Sequence, residues 1–212
     1  MKALIIGATG ATGKDLLEVL LKDEKYTEVV IFVRRSIEIK HPGLKEIITD
    51  LNNLESVTRE INGDIWFSCL GTTLKAAGSK ENQWEIDYGI PSKFAQIAKA
   101  NGVKSAVLLS AYGANSGSSV FYSKMKGQLE QHIEGLGFEQ YIIFRPGLLL
   151  RRDTIRFGEK ASGFILNFLN SLGILRKFKP LPTKLLAEKL ARAPMRLDTG
   201  KHLIELDAIF SF

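Results

Sequence analysis

Two side chains that together support proton transfer, Tyr122 and Lys126, lie four residues apart in a segment with helical spacing. On a helix this spacing places both side chains on one face. A nearby ammonium lowers the pKa of a phenol from its free value of about 10, so the ring can exchange a proton near neutral pH. Ser110, which ends an apolar segment upstream, adds a hydroxyl that would polarise a substrate carbonyl during hydride transfer. This set of residues predicts carbonyl reduction with Tyr122 as the proton donor.

Other hydroxyl groups compete with Ser110 for the polarising role. Ser116, Ser118 and Ser119 lie in the Gly/Ser-rich segment that follows it, and the alternative interpretation of that segment is a flexible connection. Tyr112 is a weaker candidate than Tyr122, because position 116, four residues later, is serine and not lysine.

A glycine-rich segment at residues 7–13, GATGATG, separates an apolar run from a helical pattern. Three glycines spaced by three residues permit a tight turn and a close approach of the backbone to phosphate. The helix that follows offers free N–H groups and a positive dipole end to a pyrophosphate. A nucleoside-triphosphate loop would need glycine at position 8 and Ser or Thr at position 15, where the chain has Ala8 and Asp15. The segment predicts a dinucleotide site, with a tight turn that binds nothing as the alternative.

The end of the second apolar run indicates which dinucleotide is bound. An NAD site usually places a carboxylate about 20 residues beyond the glycines, where it accepts hydrogen bonds from the ribose. Here Arg34 and Arg35 occupy that position and no acid is present. Two guanidiniums would bind a 2′-phosphate through charge-assisted hydrogen bonds, so NADP(H) is favoured over NAD(H). The alternative is that both arginines are ordinary surface charges.

Short apolar runs alternate with helical patterns over the first two thirds of the chain. Strands are predicted at 2–7, 28–33, 46–49, 64–69, 103–110 and 139–144, and helices at 12–22, 82–100 and 121–134. Pro91 is expected to kink its helix or to begin the second half of it. The alternation predicts a Rossmann-type doubly wound α/β fold, with a parallel sheet between two layers of helices.

After Pro146 the pattern loosens, with a helix predicted at 183–193 and a short strand near 202–205. We therefore expect an NAD(P)-binding domain over residues 1–150 and a small C-terminal lobe over 151–212 that packs on it.

Composition and charge restrict the class of protein. The chain has 212 residues, 45% hydrophobic and 25% charged, which excludes a disordered chain. The whole net charge of +6 lies in residues 151–212, yet no RNA-binding or helix-turn-helix signature accompanies it, so nucleic acid and membrane partners are not predicted. Salt-sensitive docking on an anionic surface is a third hypothesis. Without a signal peptide or a long apolar run, we expect a cytoplasmic protein.

Metal and disulfide chemistry are not expected. His41, His132 and His202 are isolated, without metal-ligand spacing, and are assigned surface or structural roles. The single cysteine, Cys69, excludes an internal disulfide and is interpreted as a small buried hydrophobic residue. Four aromatic residues of apolar runs are assigned to the core: Trp66, Phe67, Phe164 and Phe168. Phe164 and Phe168 are also candidates for the lining of a substrate pocket.

Five motifs occur in an order that is similar to a known family over about residues 1–150. They are GATGATG at 7–13, CLGTT at 69–73, LLSAYGA at 108–114, YSKMKGQLE at 122–130 and FRPGLLL at 144–150, with a weaker match, LIELDAI, at 203–209. The sequence resembles the atypical short-chain dehydrogenase/reductases of the NmrA-like branch, and within it the Tat-interacting-protein-like reductases. The resemblance implies a Rossmann-type sheet, NADP(H) binding and reductase chemistry.

The resemblance also implies roles for individual residues. The chemistry would fall to Tyr122 and Lys126, with Ser110 as the third member, and Lys126 would also bind the nicotinamide ribose. Related proteins often carry two serines where this chain has Ser110-Ala111. The implied cofactor contacts are Gly7, Thr9, Gly10, Thr12 and Gly13 at the pyrophosphate, Arg34 and Arg35 at the ribose phosphate, Asp50 and Leu51 by the adenine, Leu70, Gly71 and Thr72 beyond the fourth strand, and Pro146 and Gly147 beside the nicotinamide.

Two functions follow from these observations. The first is an NADP(H)-dependent oxidoreductase that transfers hydride to a small carbonyl or enone substrate. The second is a non-catalytic NADP(H) sensor that binds a protein partner, as NmrA-like proteins suggest. The sequence identifies no substrate, and a protein partner or a homo-oligomer remains open.

Overall fold

Seven parallel strands form the central sheet of the computed structural model, which describes residues 1–150 and 179–212. They are β1 (Lys2–Ile6), β2 (Glu28–Val33), β3 (Leu44–Ile48), β4 (Ile65–Ser68), β5 (Ser105–Leu109), β6 (Gln140–Arg145) and β9 (Gly200–Glu205), while β7 (Leu149–Leu150) and β8 (Leu181–Pro182) form a separate parallel pair. The spatial order is β3-β2-β1-β4-β5-β6-β9. This order reverses direction between β1 and β4, and the carboxyl ends of strands at such a point form a ligand-binding crevice.

Helices cover both faces of the sheet. In the described ranges they are α1 (Ala11–Lys22), α2 (Leu74–Ala77), α3 (Lys80–Trp84), α4 (Ile90–Ala100), α5 (Phe121–Gly135), α6 (Thr183–Arg196) and α7 (Ala208–Ser211). A π-helical turn, Glu85–Gly89, connects α3 to α4, and Pro91 lies in the first turn of α4. Proline is tolerated there because the N–H groups of a first turn have no acceptor within the helix. The expectation that Pro91 begins the second half of this helix is confirmed.

The sheet is buried on both faces, as the unbroken apolar runs predict. Successive residues of β1 point to opposite sides, so Ile5 packs in the cluster under α1 and α6 while Leu4 packs in the cluster under α4 and α5. Trp66 and Phe67 are fully buried on β4, which confirms their assignment to the core. The predicted Rossmann-type α/β fold is therefore the observed fold.

Residues 179–212 contribute to the same sheet and the same core as residues 1–150. The predicted strand near 202–205 is β9, which pairs with β6 from Gln140↔Gly200 to Arg145↔Glu205. The domain boundary at residue 150 stays a prediction, since residues 151–178 lie outside the described ranges, and so do the pocket candidates Phe164 and Phe168. Within the described ranges, no helix combines the length and apolar character needed to span a membrane.

Candidate functional site

The glycine loop connects the carboxyl end of β1 to α1 at the crevice of the sheet. Gly7 has φ +82°, and a Cβ built on it would lie 2.5 Å from the Cys69 carbonyl carbon. A Cβ on Gly13 would lie 2.0 Å from the Gly7 carbonyl oxygen. Both positions therefore require glycine, because any side chain would collide with backbone. Thr9 and Gly10 are exposed at the tip of the loop, whereas Thr12 and Gly13 are buried in the first turn of α1.

This loop fits a dinucleotide pyrophosphate. The first-turn N–H groups of α1 have no acceptor within the helix, and Gly10 at the N-cap position supplies no side-chain acceptor. Such N–H groups at a helix N-terminus favour a bound anion. The backbone can approach a phosphate closely here because the glycines that form the turn carry no side chain.

Arg34 and Arg35 follow β2 directly and are both exposed. Neither guanidinium forms a hydrogen bond or an ion pair with another residue of the described ranges. They are therefore available to a phosphate group.

The two predicted adenine contacts differ in their exposure. Asp50 is exposed, and its Oδ1 accepts hydrogen bonds of 3.0 Å from the backbone and the side chain of Asn52. Leu51, in contrast, packs in the core.

A buried ion pair joins Lys126 to Asp87, a residue for which the sequence analysis assigned no role. The distance from Lys126 Nζ to Asp87 Oδ1 is 2.9 Å, and the two side chains are 3% and 0% exposed. Burial disfavours the ammonium, but the negative charge of Asp87, assisted by Tyr122 and Glu130, outweighs it and raises the pKa of Lys126 above its ordinary value. Lys126 therefore stays a cation inside the site.

Asp87 also connects Lys126 to the loop after β4. Its Oδ2 accepts a 2.9 Å hydrogen bond from the Thr72 backbone N–H. A Cβ built on Gly71 would lie 3.2 Å from Asp87 Oδ1 and 3.8 Å from Lys126 Nζ. The structure thus brings the predicted cofactor loop, Leu70 to Thr72, against the predicted catalytic lysine. The signal in the sequence was an acid flanked by Ile86 and Tyr88 in the segment predicted as a helix over 82–100.

Tyr122 lies in the first turn of α5 and is 40% exposed. Its ring centroid is 5.8 Å from Lys126 Nζ, so the two side chains share one face of the helix as the spacing predicts. A partly exposed phenol at this position can reach a ligand that binds beside Lys126.

The Ser110 hydroxyl belongs to a second buried hydrogen-bond network, with Glu130 and Arg145. Its Oγ lies 2.5 Å from Glu130 Oε1, and Arg145 donates to both oxygens of the same carboxylate, at 3.0 Å from Nε and 2.5 Å from Nη2. Arg145 Nη1 also lies 3.4 Å from Glu205 on β9. Because a carboxylate held by arginine only accepts hydrogen bonds, Ser110 is the donor. The described residues contain no hydrogen bond between Ser110 and Tyr122. Glu130 was missed by the sequence analysis, although it follows Lys126 at the same four-residue spacing.

The nicotinamide end of the predicted site lies after β6. The Pro146 carbonyl accepts a 3.0 Å hydrogen bond from the Tyr112 backbone N–H, so the loops after β5 and β6 are connected there. A Cβ built on Gly147 would lie 3.3 Å from a Leu206 methyl group. In the loop after β5, the Ser118 hydroxyl accepts a 3.1 Å hydrogen bond from the Val120 N–H at the start of α5.

The residues given structural roles from the sequence have structural partners. His41 Nδ1 accepts from the Gly43 N–H, His132 contacts Gln96, and His202 contacts the Asp198 carbonyl. In residues 1–150 and 179–212, no three His, Cys, Asp or Glu side chains are grouped closely enough to hold a metal ion. Burial raises the pKa of the Cys69 thiol to about 12, which agrees with a packed hydrophobic residue and not with a nucleophile.

Sequence comparison identifies related proteins. An NAD(P)H-binding family matches residues 7–164. Protein FMP52, mitochondrial, from Debaryomyces hansenii is 35% identical over 202 residues, which cover 93% of this chain and 87% of that protein. The protein of the same name from Saccharomyces cerevisiae is 34% identical over 178 residues, covering 82% and 75%.

Solved structures with low sequence identity share the fold. A short-chain dehydrogenase/reductase superfamily protein from Agrobacterium tumefaciens, with bound NAD, has a TM-score of 0.74 at 13% identity and covers 97% of this chain and 77% of its own. The Bordetella bronchiseptica enzyme WbmH, in complex with NAD+, has a TM-score of 0.72 at 19% identity, covering 96% and 74%. At these identities the likeness shows the Rossmann fold alone.

These relatives correct one prediction and confirm another. The expected cytoplasmic location is wrong, because the FMP52 relatives are named as mitochondrial proteins. The NAD(P) binding that the resemblance implied is confirmed by the family match, and the solved structures share the Rossmann-type fold it implied. This chain belongs to the NAD(P)H-binding family and is related to the FMP52 proteins.

Proposed function

We propose that this protein is an NADP(H)-dependent oxidoreductase that reduces a small carbonyl or enone substrate, with Tyr122 as the proton donor. The observation that carries the proposal is the arrangement around Lys126. A buried, charged ammonium lies beside a half-exposed phenol and is tied through Asp87 to the Thr72 N–H at the crevice of the sheet. This arrangement links the expected cofactor position to an acid that can reach a ligand.

The residues of the chain support each proton step of such a reduction. NADPH, when bound, supplies the hydride that adds to the carbonyl carbon, or to the β-carbon of an enone. The electron pair of the C=O bond moves to oxygen, and the Tyr122 hydroxyl gives that oxygen its proton. In an enone, hydride addition to the β-carbon moves the C=C electron pair toward the α-carbon, and the Tyr122 proton goes to that carbon. The Lys126 cation stabilises the phenolate that remains, and Tyr122 regains a proton from water.

The preference for NADP(H) over NAD(H) rests on Arg34 and Arg35. Both guanidiniums are exposed after β2, and neither has an ionic partner among residues 1–150 and 179–212. A 2′-phosphate supplies two negative charges and several acceptor oxygens, which suits a pair of planar guanidinium donors.

Substitution of Tyr122 tests the catalytic proposal. Tyr122→Phe should keep the affinity for NADPH within twofold of the parent chain, while turnover falls about 100-fold or more, since only the proton is lost. NADPH fluorescence measures binding, and NADPH consumption against a panel of aldehydes, ketones and enones measures turnover. Tyr112→Phe is the matched control, because Tyr112 is also an exposed tyrosine but has no lysine one turn later. Turnover that survives in the Tyr122 variant would remove this residue from the mechanism.

A sensor without catalysis is the alternative function, and one observation favours it. The Ser110 hydroxyl donates to Glu130 and is not free to polarise a substrate carbonyl. Tight NADPH binding without NADPH consumption against the whole carbonyl panel would support the sensor. Substrate-dependent consumption would exclude it.

We also propose that the protein acts in mitochondria, following the names of its FMP52 relatives. The full chain with a C-terminal tag, expressed in yeast, should co-purify with mitochondria. Recovery of the tag only in the cytosolic fraction would contradict this.

A further inference from the structure

The loop that carries Arg34 and Arg35 is held by a residue of the neighbouring strand. Glu46 on β3 accepts a 2.7 Å hydrogen bond from the Ser36 hydroxyl at Oε2 and a 3.2 Å hydrogen bond from the Ile37 N–H at Oε1. Both oxygens of one carboxylate thus bind the two residues that follow the arginines.

The same loop contains an unfavourable backbone conformation. Glu38 has φ +59°, in the left-handed region that residues other than glycine rarely adopt. Its N–H donates at 3.2 Å to the Ser36 hydroxyl, which in turn donates to Glu46. Hydrogen bonds to a charged acceptor are stronger than neutral ones. The Glu46 carboxylate is therefore the anchor of a short hydrogen-bonded chain that keeps this turn in place.

The position of Glu46 is itself well determined. It pairs with Ile31 in the parallel register of β2 and β3, inside the sheet and not on a loop. An anchor on the sheet can hold the arginines in one position relative to the glycine loop, since β1 and β2 are adjacent strands.

The carboxylate has two conceivable effects on cofactor choice. An acid at this edge of the sheet could accept hydrogen bonds from ribose hydroxyls and favour NAD(H). In this structure, however, each oxygen already accepts a hydrogen bond from the loop. The geometry favours the other effect, in which the acid orders the arginine loop.

We propose that Glu46 is a positioning residue that determines cofactor specificity, by holding Ser36 and Ile37 so that Arg34 and Arg35 meet the 2′-phosphate of NADP(H). The inference rests on the proposed NADP(H) preference and adds the residue that maintains it.

Calorimetric titration of the full chain with NADPH, NADH and 2′,5′-ADP tests this inference. Glu46→Ala should weaken NADPH and 2′,5′-ADP by about tenfold, because the arginines lose their fixed position, while NADH changes less than twofold. Ser36→Ala removes one of the two contacts and should act in the same direction with a smaller effect. It also carries the test if Glu46→Ala does not fold. Glu24→Ala is the matched control, because it removes the same charge from an exposed position before β2, near the amino end of the strand whose carboxyl end carries the arginines.

The outcomes separate this inference from the proposed cofactor preference. A parent chain that binds NADPH more tightly than NADH, with a preference unchanged in both variants, would overturn the role of Glu46 alone. Tighter NADPH binding in Glu46→Ala would overturn it as well, since the carboxylate would then oppose the phosphate. A parent chain that prefers NADH would overturn the NADP(H) preference and this inference together.

Discussion

A buried ammonium is stable only beside a compensating charge, and at Lys126 that charge comes from Asp87. Both side chains are almost fully buried, so water solvates neither charge. Removal of one partner therefore leaves an uncompensated charge in the interior. The same carboxylate holds the Thr72 N–H. Asp87 therefore supports the fold and the candidate catalytic lysine at once.

Asp87→Ala should lower the free energy of unfolding by about 3–5 kcal/mol, the usual cost of breaking a buried ion pair. Because the pKa of Lys126 is raised in the folded chain, the stabilisation is fully present below the unfolded pKa of 10.5 and is lost as the pH rises through the folded value. Urea unfolding at several pH values measures both effects.

The control for this variant is Glu55→Ala, which breaks the exposed ion pair with Lys93. We expect almost no change in its free energy of unfolding, because surface ion pairs contribute little. If Asp87→Ala were as stable as this control, the buried pair would not exist in solution.

At the level of elements, α1 packs closely against the end of β1, and Gly13 is the residue of α1 at this contact. The Gly7 carbonyl oxygen occupies the space that a Cβ at position 13 would need. On the other side of the site, Glu130 of α5 binds Ser110 after β5 and Arg145 at the end of β6. Helix-to-strand contacts of this kind determine where the glycine loop and the catalytic candidates lie.

Gly13→Ala should separate α1 from β1, cost about 1–3 kcal/mol of stability and abolish NADPH binding, because the amides of the loop lose their arrangement. Gly135→Ala is the control: a Cβ there would meet no atom within 4 Å, and alanine favours helix over glycine. Thermal unfolding and NADPH titration measure both variants. Parent-like NADPH affinity in Gly13→Ala would contradict the close contact.

For the whole molecule, the core depends on residues far apart in the chain. Among the described residues, 23 buried side chains form the cluster under α1 and α6, and eight of them come from residues 179–212. The Tyr26 hydroxyl donates a 2.6 Å hydrogen bond to the Ala191 carbonyl, and β9 covers the edge of β6. Residues 1–150 alone would expose this apolar surface and one more strand edge to water.

A chain that ends at residue 150 should consequently fail to unfold cooperatively. We expect near-ultraviolet circular dichroism without the native signal and a broad urea transition, with the full chain as the control. A sharp transition together with NADPH binding by the short chain would show that residues 1–150 fold independently.

The fold predicted from sequence is confirmed, and the roles of the site residues stay predictions that rest on local signals. The glycine loop, the helical spacing of Tyr122 and Lys126, and the arginines after β2 are each contained in a few consecutive residues. Asp87, Glu130 and Glu46 were not assigned roles, because each acts through a partner on another element. The cytoplasmic expectation was wrong, because the FMP52 relatives are named as mitochondrial proteins.

The sequence by itself determined the fold class and the types of groups at the site, because strand and helix periods and turn-forming glycines are local properties of the backbone. Only the tertiary structure decided how these groups are used. It paired Lys126 with Asp87, brought the Ser110 hydroxyl to donate a hydrogen bond to Glu130, and placed Glu46 where it accepts one from Ser36. Side-chain charges lose most of their solvation on burial, so their partners depend on distance in space and not on separation along the chain.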